Sequence, residues 1–269
     1  MNITFPQQVI NGYLVSGAGA ILLTAVFIVI WKLKTKAMLI PILVGAATFM
    51  IFAEALKAIP ALPLLGGNNA ASQKIINTPW MFYLVSGLLA GIFEETGRYL
   101  AFRFVLKPQK YPTKKTALDY GVGHGGVEAV FLSFSYIVTA MLGMQANSGM
   151  LQAQMQALPA AMKETYMQQL ADRANVTFGQ LMLWLPERAT AIIFHIAMSV
   201  FVFCAVREKK PLLFLAAVLL HTLIDFGCIL AKPHPLLTEI LLFAFAVVML
   251  IFAIRILYRR MPEEQEVQT

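Results

Sequence analysis

Long apolar stretches alternate with short polar ones along this 269-residue chain. Each apolar stretch reaches the length of about 20 residues that a helix needs to cross a bilayer. The pattern predicts seven transmembrane helices, at residues 10–31, 37–59, 79–106, 117–143, 179–206, 211–231 and 235–258. We therefore expect an all-α polytopic membrane protein. Residues 1–261 are predicted to form a single transmembrane helical domain, followed by a short acidic tail at 262–269.

Composition and charge agree with a membrane location. Charged residues make up only 13% of the chain, against about 25% in typical soluble domains. Fourteen of the 21 Lys and Arg residues lie in four connections, at 32–36, 103–115, 207–210 and 255–260. The connections on the opposite side hold Lys57, Lys74, Lys163, Arg173 and Lys232. The positive-inside rule then places the N-terminus outside and the C-terminus in the cytoplasm.

The net charge of +7 is accounted for by this asymmetry and by contact with anionic lipid headgroups. We therefore expect a lipid bilayer as partner and no nucleic acid. The composition favours a multi-pass protein of the cell membrane, and more specifically of a bacterial inner membrane.

The long outer connection has an amphipathic pattern at about 150–174. Its apolar residues recur at steps of three and four, the spacing of a helix with one apolar face. They are Leu151, Met155, Leu158, Met162, Tyr166 and Leu170. The pattern predicts a helix lying in the membrane interface, either as a surface connector or as a lid over a lateral opening.

Ionisable residues occur inside four of the predicted helices, at depths of about 10–21 Å in a hydrocarbon core of ~30 Å. One charged side chain at such depth costs about 2.5–3.5 kcal/mol, so scattered unpaired ones are unfavourable. We expect these residues to face one another and to form a site. They are Glu94, Glu95, Arg98, His124, Glu128, His195, His221 and Asp225.

Helical spacing suggests pairs within this set. Arg98 can reach Glu94 at i,i+4 or Glu95 at i,i+3 on its own helix. Because adjacent residues point about 100° apart, one glutamate can pair with Arg98 while the other faces a cavity. The sequence leaves open which of the two is the free carboxylate.

An imidazole could lie beside a carboxylate in two further i,i+4 pairs, which are His124 with Glu128 and His221 with Asp225.

The stretch GVGHGGVE at 121–128 matches the dinucleotide fingerprint GxGxxG, but no strand precedes it, so we reject that match. Its glycines, together with Gly87 and Gly91, would let a neighbouring helix approach closely.

Carboxylates and imidazoles that converge in an apolar layer suit hydrolysis. A glutamate can act as general base on water, while imidazoles bind a metal or donate to the oxyanion. His124, His195 and His221 match the count of protein ligands at an open catalytic zinc site. A divalent metal such as zinc is thus a candidate cofactor, although a glutamate and histidines can also act without one. The alternative is a proton- or ion-coupled transporter that uses the same Glu/His/Asp relay.

Four motifs carry a resemblance to a known family: EETGR at 94–98, GHGGVE at 123–128, the isolated His195 and HTLID at 221–225. Together they resemble the YhfC-type intramembrane peptidases, relatives of the CAAX-protease and bacteriocin-processing (CPBP) superfamily and of the PrsW-type membrane proteases. Ala191 and Asp225 depart from the wider superfamily, which has Phe and Asn there. The YhfC-type match is therefore the better one.

The resemblance implies a hydrolase that carries out intramembrane proteolysis of membrane-embedded or membrane-associated polypeptides, as a glutamate-type enzyme or a metalloprotease. By resemblance, Glu94 and Glu95 are the pair that activates water, and Arg98 closes their motif. His195 matches the middle motif, and the remaining matched positions are His124, Glu128, His221 and Asp225.

Overall fold

A computed structural model describes residues 3–107, 110–111, 113–156, 160–231 and 233–260. Every regular element within these ranges is a helix. In chain order the helices are α1 Gln7–Thr35, α2 Leu39–Leu65, α3 Ala70–Ile76, α4 Pro79–Val105, α5 Lys115–Asn147, α6 Met150–Met155, α7 Ala160–Ala174, α8 Phe178–Arg207, α9 Pro211–Leu230 and α10 Pro235–Tyr258.

The long helices confirm the predicted fold class. Six of them, α1, α2, α5, α8, α9 and α10, are long and apolar enough to cross a membrane. The short α3 meets α4 at a bend of 101°, and this pair makes a seventh candidate span. The protein is therefore an all-α, multi-pass membrane protein, while the orientation of its termini stays a prediction.

One predicted boundary is wrong, because α2 does not end at residue 59 but continues to Leu65 through Pro60 and Pro63. A π-helical stretch, Phe49–Leu56, precedes the prolines, and the Lys57 N–H bonds to the carbonyl of Phe52. Membrane helices tolerate proline where such local adjustments satisfy the backbone. Lys57, predicted to belong to an outer connection, is therefore followed by two further turns of α2.

Contacts divide the chain into two compact units. The first contains Met1–Val26 and Ala129–Arg188, and the second contains Phe27–Glu128 and Ala189–Thr269. A single domain over residues 1–261 stays a prediction, and the acidic tail at 262–269 lies outside the described residues.

In the first unit, the apolar face of the outer connection packs into the core. Leu151 and Met155 of α6 and Leu170 of α7 are buried in one cluster with Phe5 and Ile10. These side chains therefore contact protein, while the position of the outer connection in the membrane interface stays a prediction. Leu158 lies outside the described residues.

In the second unit, α8 supplies the central stretch. Residues 194–206 of this helix are all buried, as expected for a helix that is apolar on every side. Most of their apolar side chains form one core with Ala217 of α9 and Ala246 of α10. His195 is the second residue of this buried stretch.

Glycines bring the surrounding helices of the second unit close together. A Cβ atom on Gly91 of α4 would lie 2.7 Å from the carbonyl oxygen of Val218 on α9. A Cβ atom on Gly123 of α5 would lie 2.0 Å from the carbonyl oxygen of Ile42 on α2. Both distances are shorter than any van der Waals contact, so the predicted role of these glycines in close helix packing is confirmed.

Gly123→Ala is expected to destabilise the protein by about 1–3 kcal/mol, because backbone must move to admit the methyl group. Gly179→Ala is the matched control, since nothing lies within 4 Å of its added Cβ atom, and alanine is the better helix former. Thermal unfolding in detergent should show a lower midpoint for Gly123→Ala only. Equal midpoints for both variants would contradict the close approach of α2 and α5.

Candidate active site

Glu94 lies buried on α4 with three nitrogen atoms around its carboxylate. Its Oε2 atom is 3.2 Å from Nε2 of His124 and 3.8 Å from Nε2 of His221. Its Oε1 atom is 3.5 Å from Nζ of Lys57. No arginine lies within ion-pair distance of Glu94 in the described part of the chain. The carboxylate therefore faces imidazoles and an ammonium group, which leave it able to accept a proton.

Glu95, the next residue, has a different environment. Its side chain and that of Arg98 have no solvent exposure, and they form an ion pair one helical turn apart. Oε1 of Glu95 accepts a hydrogen bond of 2.7 Å from Nδ1 of His221. The structure thus shows which glutamate Arg98 binds, a choice that the i,i+3 and i,i+4 spacings left open.

His195 on α8 lies between a cation and a carboxylate. The Nη2 atom of Arg98 donates to Nδ1 of His195 at 2.9 Å, because a guanidinium group has no acceptor atom. The Nε2 atom of His195 contacts Oε2 of Glu128. In the neutral imidazole the proton is therefore on Nε2, the atom that contacts Glu128.

His221 on α9 has its tautomer fixed by Glu95. Since Nδ1 donates to the Glu95 carboxylate, Nε2 is the atom that faces the site. It lies 3.8 Å from Glu94 and 4.0 Å from Oδ2 of Asp225. Asp225 is the most exposed of the predicted carboxylates whose ion pairs are described, with 38% of its side chain accessible.

Three imidazole rings meet at this place. The ring centroids of His124 and His195 are 4.7 Å apart, and those of His195 and His221 are 5.4 Å apart. The structure thus brings together groups from α4, α5, α8 and α9, and all eight predicted site residues take part in contacts within the second unit.

Four of these residues could hold a metal ion. Glu94, His124, Glu128 and His195 each offer one ligand atom, and the four atoms lie within 4.8 Å of one another. Two imidazoles with carboxylates form a donor set that suits zinc and other divalent transition metals. His221, predicted from the sequence as a third histidine ligand, is not in this group. Its Nδ1 atom instead bonds to Glu95.

A buried nitrogen atom also supports a metal site at these residues. Nδ1 of His124 is buried and has no hydrogen-bond partner among the described residues. A buried polar atom without a partner calls for an explanation, and an unplaced ion or water is one. The residues therefore fit a divalent ion. An ion bound at Nε2 of His195 would take the place of the proton on that atom.

The i,i+4 pairing of His124 with Glu128 is replaced by contacts between helices. His124 on α5 pairs with Glu94 on α4, and Glu128 on α5 pairs with His195 on α8. Helix packing turns each of these side chains toward a neighbouring helix. Spacing along one helix therefore identified the residues but not their partners.

Two residues of α2 were missed as members of the site. Lys57 lies 3.5 Å from Glu94, and Glu54 interacts electrostatically with Lys57, Glu94 and Glu128. Glu54 and Lys57 are three residues apart in an apolar helix, and charged residues in such a position indicate function. That signal was present in the sequence, but Lys57 was counted with an outer connection and Glu54 was not considered.

Fold and site together define the class of protein. It is a multi-pass membrane protein with a buried group of carboxylate and imidazole side chains, the groups that hydrolytic enzymes use as acids, bases and metal ligands. Residues 19–248 match the sequence model of the YhfC intramembrane metalloprotease family. The chain belongs to this family, and it is an intramembrane peptidase.

A curated relative agrees with this family. The chain is 32% identical over 225 residues to "Uncharacterized membrane protein YhfC" of Bacillus subtilis (strain 168). The match covers 83% of this chain and 85% of the relative. No solved structure matches the chain.

Proposed function

We propose that Glu94 is the general base of a site that hydrolyses peptide bonds in membrane-embedded or membrane-associated polypeptides. The observation that carries this proposal is the contrast between two adjacent glutamates. Glu95 is bound by Arg98 and His221, whereas Glu94 has no guanidinium partner in the described residues. Environments that differ this much give neighbouring carboxylates different roles.

The proposed reaction starts with water beside Glu94. The carboxylate takes a proton from the water while the water oxygen forms a bond to the carbonyl carbon of the substrate. The C–N bond then breaks, and the proton held by Glu94 goes to the leaving amine. Lys57, 3.5 Å from Oε1, balances the negative charge of Glu94 before the proton arrives.

Glu95 and Arg98 act as positioning residues in this proposal. Glu95 holds the His221 ring so that Nε2 faces Glu94. Arg98 holds His195 through Nδ1 and so directs Nε2 to Glu128. Fixed orientation of this kind is what supporting hydrogen bonds supply to catalytic imidazoles.

We propose that a divalent ion is held by His124, His195 and Glu128. Two histidines and one glutamate are a known ligand set for catalytic zinc, with the fourth position open. A bound ion would polarise the substrate carbonyl and lower the pKa of water. This choice leaves Glu94 free to act as base, and it replaces His221 by Glu128 as the third ligand.

Metal content separates the ligands from the base. We expect purified wild-type protein to retain a divalent metal, and His124→Ala, His195→Ala and Glu128→Ala to lose it. Glu94→Gln and His221→Ala should retain the metal, because neither side chain is a ligand in this proposal. Elemental analysis of detergent-purified protein measures this without any activity assay. Loss of metal in His221→Ala, with retention in Glu128→Ala, would restore the three-histidine set.

A further inference from the structure

A cavity in the second unit is lined by none of the eight predicted site residues. It has a volume of about 420 Å³ and opens at the basic ends of α4, α8 and α9. Ligand pockets in proteins usually have volumes of about 300–1,000 Å³. Its polar lining residues include Tyr99, Arg103 and Lys209.

No carboxylate of the described residues forms an ion pair with either cation of this cavity. Arg103 and Lys209 are exposed, and neither has a carboxylate within 4.0 Å in the described ranges. The neighbouring Glu208 pairs with Lys210 at 2.5 Å instead. A concave site with two unpaired cations favours an anionic ligand.

The walls and surroundings of the cavity are apolar. The Tyr99 and Phe214 rings line it with their centroids 5.3 Å apart. Leu212 on α9, which follows the lining residue Pro211 in the sequence, has an exposed fraction of 76%. Exposed apolar side chains next to cations are the arrangement that a phospholipid matches, with its phosphate on the cations and its acyl chains along the helices.

The backbone at Lys209 has an unusual conformation. Its φ angle is +54°, a left-handed geometry that residues other than glycine rarely adopt. Lys36, with φ +51°, is the other described non-glycine residue with positive φ. Lys36 does not line this cavity, so it is a matched control for a lysine in the same backbone geometry.

We propose that this cavity binds the phosphate of an anionic phospholipid through Arg103 and Lys209. The site is separate from the Glu94 chemistry and does not depend on the proposed function. It would hold one lipid against α4 and α9 beside the aromatic pair. Inorganic phosphate shares the charge of the lipid but lacks the acyl chains, so it should bind much more weakly.

Native mass spectrometry of detergent-purified protein, with added phosphatidylglycerol or phosphatidylcholine, tests this proposal. We expect the wild-type protein to retain phosphatidylglycerol and to bind it in preference to phosphatidylcholine. Arg103→Gln and Lys209→Gln should each weaken that preference by roughly five-fold. Lys36→Gln should leave it unchanged, and inorganic phosphate should not displace the lipid.

Three results would overturn the proposal. One is equal retention of the two lipids by the wild type. Another is an equal loss in Lys36→Gln and Lys209→Gln, which would indicate attraction by the overall basic surface. The third is complete displacement of phosphatidylglycerol by inorganic phosphate, which would indicate a site for free anions. Because the readout is lipid binding, failure here is distinguishable from failure of the proposed peptidase mechanism.

Discussion

Glu94→Gln is expected to abolish peptide cleavage while leaving the protein folded. An amide cannot take a proton from water, so the rate should fall by about 10²–10⁴-fold, the usual contribution of a general base. The change removes a buried charge and retains the shape of the side chain. The measurement is cleavage of a membrane-embedded peptide by protein reconstituted into liposomes.

Glu164→Gln is the matched control, because Glu164 is an exposed glutamate of α7 in the first unit. It should cleave at the wild-type rate. Size-exclusion behaviour and the unfolding midpoint should be the same for both variants. A Glu94→Gln protein that cleaves as fast as Glu164→Gln would exclude Glu94 as the base.

Glu95→Gln is expected to impair folding rather than chemistry alone. The change leaves the guanidinium of Arg98 buried without its carboxylate, and breaking a buried ion pair in this way costs about 3–5 kcal/mol. It also weakens the acceptor for Nδ1 of His221. Thermal unfolding in detergent should show a much larger decrease for Glu95→Gln than for Glu94→Gln.

The double variant Glu95→Gln/Arg98→Gln provides the control for this effect. With both charges removed, no unpaired charge remains, so part of the lost stability should return. Activity should stay low, because neither His195 nor His221 is held as in the wild type. If the double variant lost as much free energy of unfolding as the two single variants lose together, or more, the two residues would not stabilise one another.

Much of the fold could be predicted from the sequence, because helices in a bilayer must be long and apolar. The cost of burying charge also identified the site, since Glu94, His124 and His195 could only be tolerated together. The roles of Glu94 and Glu95 could not be assigned this way. Both can reach Arg98 along their own helix, and only the packing of α9 against α4 brings His221 to Glu95.

The partners of the α5 residues depend on packing in the same way. Spacing shows which side chains share a face of one helix, but the rotation of each helix decides which neighbour it meets. Glu128 therefore pairs with His195 of α8 rather than with His124. Lys57 was missed because it lies close to the predicted end of α2 and was counted with an outer connection, whereas α2 continues past two prolines that usually end a helix.

The most direct test of the account is cleavage in water labelled with heavy oxygen. Wild-type protein in liposomes, given a membrane-embedded peptide, should produce two fragments, and the new C-terminal carboxylate should carry one labelled oxygen. Glu94→Gln should produce neither fragment while remaining folded. Transport of protons or ions by wild-type protein, with no labelled fragment from any membrane peptide, would contradict hydrolysis at the Glu94 site and favour the transporter.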